Sequence, residues 1–246
     1  MAAMILVATS GDLLSGGLVM SRQPLIRKYP NSHFVVGPGA LEDRPKAAAR
    51  IAECISGWTE VELQVARLLA TLLGANTRPT IALYLSLANE RAKRDALNAI
   101  VQFTLSAAEQ ELFAAILGAK ASVGKKRHDL AHGLFCEIKQ EDEGIGWIST
   151  ADRIRHLLSL GSIDNPDPII DADVRPLISV YTLPDLDRIL DEIANVHRLV
   201  YSFNSMMRAA GDARAELFSQ LTNEPLVQES RSRTKKDRGT PPSEPQ

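Results

Sequence analysis

Nine consecutive residues, Lys125-Lys126-Arg127-His128-Asp129-Leu130-Ala131-His132-Gly133, bring three cations, one carboxylate and two imidazoles together. The guanidinium of Arg127 is planar and permanently charged, and it can donate two parallel hydrogen bonds to a phosphate. Histidine, with an ordinary pKa of about 6.5, takes up and releases protons near neutral pH. RNA is cut without a metal when a base removes the 2′-hydroxyl proton, a cation stabilises the phosphorane-like transition state and an acid protonates the departing 5′-oxygen. Arg127 and His132 divide naturally into the cation and the proton carrier.

Spacing sets a geometric condition on that chemistry. On a continuous helix five residues turn about 500°, leaving Arg127 and His132 roughly 140° apart, whereas His128 and His132 share a face. Either a helix begins at about Arg127, with its side chain folding back, or two copies of the motif meet across a dimer interface. Lys120, Lys125, Lys126 and Arg127 form a local basic patch that suits an RNA backbone, with Lys125 and Lys126 as the RNA-binding pair. The same cations also suit a solvated helix end.

The company of the Arg127/His132 pair is distinctive: polar His128 after the arginine, apolar Leu130 and Ala131, and Gly133 where a helix C-cap would fall. Here the chain resembles the HEPN superfamily, all-helical proteins marked by an Arg, a polar residue, and a His four to six positions after the Arg. The helical layout extends the resemblance to roughly residues 44 to 210. It implies a metal-independent endoribonuclease that leaves 2′,3′-cyclic phosphate ends, with Arg127 on the scissile phosphate, His132 as general acid or base, and His128 orienting the motif or the RNA. It further implies a homodimer with a shared cleft, an RNA substrate, a role as a toxin or defence effector, and an inhibitory antitoxin-like partner. The superfamily also holds non-catalytic members, so a helical dimerisation or nucleotide- or partner-binding module is the alternative. No cofactor is expected. A metal hydrolase built on His128, Asp129 and His132 is a third reading, weakened by the missing third ligand and the absence of HExxH.

The elements that must carry the motif follow from hydrophobic period and punctuation. From Pro45, apolar residues at Ile51, Cys54, Ile55, Trp58, Val61, Val65, Leu68 and Leu72 predict a long amphipathic helix ending at Gly74, with Gly57 as a weak point beside Trp58. A second helix is expected after Thr77-Arg78-Pro79 and a third over Ala88 to Val101. Ser106-Ala107-Ala108-Glu109 reads as a capping box opening a fourth helix that runs past Gly124 and delivers the motif at its end. The period then shortens: Leu134 to Ile138, Ile145 to Ile148 and Leu177 to Tyr181 read as strands, with Glu141 to Gly144 as a turn. Thr182-Leu183-Pro184-Asp185 opens a last long helix with a seam at Leu186, Ile189, Ile193, Val196, Val200, Phe203 and Met207.

The fold class expected is therefore mainly α, an up-and-down bundle of four to five helices with a small antiparallel β insertion after the motif. Residues 1–43 read as an N-terminal extension or arm broken by Pro24, Pro30, Gly37, Pro38 and Gly39, with translation starting at Met20. Residues 44–221 read as the helical domain with its β insertion over about 134–182. Residues 222–246, rich in Arg, Lys, Ser, Glu and Pro, read as a disordered charged tail.

Composition narrows the class. The 246 residues, 45% hydrophobic, suffice for a buried core, and a net charge of −2 argues against a general nucleic-acid coat protein, so RNA contact must be local. Cys54 and Cys136 stand apart from each other and from any CxxC or Cys/His cluster, which indicates neither zinc nor a disulfide framework and fits a reducing cytoplasm. No run is long enough to span a bilayer, no glycine-rich phosphate loop follows a strand, and no Gly-x-Ser-x-Gly elbow is present.

Overall fold

The computed structural model describes residues 23–139, 143–159 and 172–239. Proline and glycine punctuate its longest helix as the sequence predicts. Helix α2 (Pro45–Leu73) carries Pro45 in its first turn, where the missing N–H has no partner to lose. It ends at Gly74, whose φ of 58° is left-handed and whose N–H closes onto Ala70 and Thr71 carbonyls. The helix runs unbroken through Gly57, where Ile193 comes within van der Waals reach of the position a Cβ would take. Side-chain caps start the following helices: Asn76 accepts from the Arg78 N–H to open α3 (Thr77–Ser86), and Asn89 accepts from the Ala92 N–H to open α4 (Glu90–Thr104).

Helix α5 (Ala107–His132) is opened by the predicted capping box, with Ser106 N–H donating to Glu109 at 2.9 Å and the Glu109 N–H returning to Ser106 Oγ. Helix α7 (Leu183–Arg208) uses the same device through Thr182 and Asp185. Its seam, from Leu186 to Phe203, is core: it packs along α2 and reaches α5, where Phe113 and Phe203 rings lie 5.5 Å apart. At the end of that stripe Met206 is the buried methionine and Met207 only packs against the core.

Between α5 and α7 lie strands β3 (Gly133–Ile138), β4 (Ile145–Ser149) and β5 (Ser179–Tyr181), with helix α6 (Thr150–Ser159), which the sequence reading lacked. Strand β5 is shorter than predicted because Ala172–Leu177 form a 3-10 turn containing Pro176, which has no N–H for a ladder. The Glu141 to Gly144 turn lies partly outside the described residues.

The arm expected over 1–43 is not merely an extension, since its described part supplies both edges of the sheet. Strand β1 (Gln23–Pro24), followed by the single-turn helix α1 (Leu25–Lys28), pairs with β5, and strand β2 (Phe34–Val36) pairs with β3. All pairings are antiparallel, in the order β1-β5-β4-β3-β2, and Pro24 sits on an edge where its missing N–H is tolerated. Alternation divides the two sheet faces. Phe135, Ile145, Trp147 and Tyr181 join the main helical core, while Cys136, Ile138, Ile148 and Val180 close a smaller core with Leu25, Phe34 and Ile178. Met20 lies outside the described residues.

The disordered tail expected over 222–246 is also corrected. After α8 (Gly211–Thr222), helix α9 (Pro225–Gly239) packs on α5, burying Val227 and Ser230. Gly118 of α5 makes this approach feasible, because a Cβ there would collide with Ser230 Oγ. Residues 240–246 lie outside the described residues. The protein is thus mainly helical with one small antiparallel five-stranded sheet.

Candidate active site

Helix α5 is continuous to His132, which removes the arrangement in which a helix begins at Arg127. The reason lies in how its last turn is held. Leu130 is buried at 1% exposure, and the terminal carbonyls, which lack partners within a helix, are met from the sheet side. Trp147 Nε1–H donates to the Asp129 carbonyl at 2.7 Å, and the Thr150 hydroxyl donates to the His132 carbonyl at 2.8 Å. Gly133 occupies the C-cap position, but in an extended conformation (φ −94°, ψ 170°) rather than the left-handed one of a capping glycine. What requires glycine there is space: a Cβ would fall within the indole of Trp147.

Viewed down α5, at about 100° per residue, His128 stands roughly 100° from Arg127 and 40° from His132. The two imidazoles are exposed and lie 4.4 Å apart between ring centroids, tilted by 47°. Arg127 is half-buried, and its Nε is shielded from solvent with no hydrogen-bond partner among the described residues. It lines a cavity of about 510 Å³ walled also by Trp58, Tyr84, Leu97, Leu117 and His128. Lys125 and Asp129 border the same cavity, whereas His132 is outside it and is linked to it by ring contact with His128.

The expected basic patch is divided. Lys125 is exposed. Lys126 turns to α7 and pairs with both carboxylate oxygens of Glu192 at 2.6 Å, so its charge is already matched. Lys120 is buried, with 7% exposure, and belongs to an inner cluster that sequence reasoning missed. Its Nζ lies 2.6 Å from Glu62 and 3.0 Å from Glu90, and Lys93 Nζ lies 2.9 Å from Glu62 and 3.3 Å from Glu90. The Tyr84 hydroxyl donates to Glu62 at 3.3 Å, and the two ammonium groups sit over the rings of Tyr84 and Trp58 at 5.1 and 5.2 Å.

Electrostatics within the cluster are self-consistent. Burial by itself would raise the Glu62 pKa, but Lys120 and Lys93 outweigh it and hold the carboxyl below its ordinary value. Burial pulls the Lys93 ammonium down, and Glu62 with Glu90 reverses this to a raised value. The Tyr84 hydroxyl is pushed up by burial and then by Glu62. A signal for the cluster was present: Glu62 follows Trp58 by four residues and precedes Val65 by three, placing a carboxylate on the apolar stripe of α2.

Both cysteines are buried free thiols, and burial pushes each pKa up to about 12, far from a reactive thiolate. Among the described residues no group of three or more His, Cys, Asp or Glu is placed to hold a metal ion, and no helix is long and apolar enough to cross a membrane.

The class defined by these observations is a mainly helical protein in which α5 ends in exposed His128 and His132 and a half-buried Arg127 beside a charged cavity. Comparison of the chain with family models, curated proteins and solved structures finds no match.

Proposed function

We propose that this protein is a metal-independent endoribonuclease of HEPN type. The observation that supports this reading most is the pairing, at the end of α5, of exposed His128 and His132 in ring contact with a half-buried Arg127 whose Nε has no partner among the described residues. A phosphate held by the guanidinium of Arg127 would have its charge neutralised as it builds on phosphorus. His132 removes or returns a proton: the 2′-oxygen attacks phosphorus, the bond to the 5′-oxygen breaks, and a proton reaches that leaving oxygen. The products are a 2′,3′-cyclic phosphate and a 5′-hydroxyl. His128 orients His132 through ring contact, and Lys125 attracts the backbone.

Because Arg127 and His132 lie about 140° apart on one helix, the active unit in this reading is a homodimer in which two motifs face one cleft. The long helices then form an up-and-down bundle, the protein works in the cytoplasm on RNA as a toxin or defence effector, and an antitoxin-like protein restrains it. A non-catalytic nucleotide- or partner-binding module is the second reading, favoured by the 510 Å³ cavity beside the motif. Incubation with total RNA in excess EDTA separates the two. The ribonuclease reading requires 2′,3′-cyclic phosphate ends that Arg127→Ala does not produce, and a folded protein that cuts none of many RNAs would overturn it.

A further inference from the structure

Helix α9 holds no apolar residue after Val227, yet it keeps to a definite course along α5. Ser230 fills the space left open by Gly118, and three residues further on Arg233 donates to the Ser122 hydroxyl at 3.0 Å. A step of three on α9 matches a step of four on α5, so the two helices run in the same direction. At 1.5 Å per residue, the nine residues from Ser230 to Gly239 cover about 13 Å, and the same step from Gly118 reaches Arg127. The C-terminal half of α9 therefore ends level with the Arg/His motif.

The face of α5 that α9 covers continues into the motif. At about 100° per residue, Ser122, Lys125, Asp129 and His132 all fall within about 40° of Gly118, whereas Arg127 falls on the opposite side. The row followed by α9 thus leads to His132, which is outside the cavity that Arg127 lines. Asp129 is the acid of that row, and it has an interaction of its own. The charge of α9 is lopsided: from Arg231 to Gly239 stand Arg231, Arg233, Lys235, Lys236 and Arg238 against one acid, Asp237, in a chain whose net charge is −2. Arg233 is countered by Glu229. Arg231, Lys235 and Arg238, four and three residues apart, fall on one flank of the helix, roughly 80 to 140° from Ser230. Like charges at this spacing repel one another, and a polyanion lying along the flank removes that cost.

We propose that the C-terminal half of α9 is a track for an RNA backbone, which it leads along α5 to Lys125 and His132. The occupant is a strand rather than a small anion because the cations follow the helix for about 13 Å instead of converging on one point. Lys235, Lys236 and Arg238 are then substrate-positioning residues that lie outside the motif and act on binding, with no part in the chemical step. The proposal rests on the ribonuclease reading for the destination of the strand, His132; its test is binding of an RNA that cannot be cut.

The experiment is an anisotropy titration of the full chain with a labelled 2′-O-methyl dodecanucleotide over a series of salt concentrations. One variant combines Lys235→Gln, Lys236→Gln and Arg238→Gln; the control combines Arg27→Gln, Arg78→Gln and Arg91→Gln, three exposed arginines on α1, α3 and α4, and both are checked for an unchanged unfolding midpoint. The α9 variant is expected to bind about tenfold or more weakly, with a salt slope shallower by about 2, at about 0.7 for each lost phosphate contact, while the control stays within about twofold of the parent. Photo-cross-linking from 4-thiouridine placed along the strand should reach α9 from one part of the oligomer and the last turn of α5 from another. Absence of RNA binding by the parent, equal losses in variant and control, or cross-links that avoid α9 overturn the track. Equal competition by an oligoglutamate of the same charge assigns α9 to an acidic protein and overturns it too. Binding along α9 by a chain that cuts no RNA in EDTA sinks the ribonuclease reading alone, and cleavage whose KM is unmoved by the α9 substitutions sinks this proposal alone.

Discussion

Lys120 and His128 lie two turns apart on α5 and border one cavity, yet their surroundings differ completely. Lys120 is buried between two carboxylates, its half-buried neighbour Lys93 meets the same two, and the cluster they form bridges α2, α4 and α5. Beside His128, His132 meets it ring to ring but is open to solvent, and Arg127 Nε is unmatched among the described residues. A charge that is countered within the fold is committed to holding it together. A charge left uncountered at a cavity edge remains available to a ligand, and that difference assigns structure to the inner cluster and chemistry to the outer face.

The comparison can be broken most forcefully from inside. Glu62→Gln would leave buried Lys120 and half-buried Lys93 sharing Glu90, and stability should fall by about 3 kcal/mol in urea unfolding while cleavage per folded molecule is retained. Unchanged stability would show that the inner cluster is not structural. Next in size is Gly133→Ala: a methyl group would displace the Trp147 indole, cost about 2 kcal/mol, shift tryptophan emission and disturb the end of α5 that holds His132. An unaltered emission spectrum would contradict this account of the glycine.

Acid sharpens the contrast further. Glu62 is held below its ordinary pKa because its cationic partners outweigh burial, Glu109 because Arg214 and the hydrogen bonds from Ser106 outweigh it, and Glu224 is lowered chiefly by its bond to Arg198. A folded pKa below the unfolded one, which is about 4.3 for Glu, gives stability that is fully present above that value. That stability is lost as pH falls through the folded pKa, so the urea midpoint should hold down to about pH 5 and decline below about pH 4. A midpoint that rose on acidification would oppose it. The smallest effect separates neighbours: Lys125→Ala should weaken RNA binding severalfold, whereas Lys126→Ala, already paired with Glu192, should change RNA affinity less and stability by under about 1 kcal/mol. Equal losses of RNA affinity would place both lysines on the outer face.

Much of this division was legible in the sequence, for reasons that name its limits. The capping box at Ser106, the punctuation at Pro45 and Gly74, and the seam from Leu186 to Phe203 are local or periodic signals, and the structure follows them. The ring contact of His128 with His132 follows from their spacing of four on a helix. The edge strands Gln23–Pro24 and Phe34–Val36 were hidden because short edge strands broken by proline carry little pattern of their own and exist only through β5 and β3. Helix α9 was obscured by its charge, since only Leu226, Val227 and Ser230 reveal a face that meets α5 at Gly118. Lys93 and Arg94 stand in the charged run from Glu90 to Asp95, which carries no sign of its own of burial, and only the packing of α4 shows that Lys93 faces Glu62 and Arg94 a cavity.

The most direct test concerns His132, exposed and outside the inner cluster. His132→Ala should leave the unfolding midpoint within about 0.5 kcal/mol of the parent while lowering metal-free RNA cleavage by about a hundredfold or more. Cleavage that persists, or that falls only in proportion to the folded fraction, would contradict the assignment of chemistry to the outer face of α5.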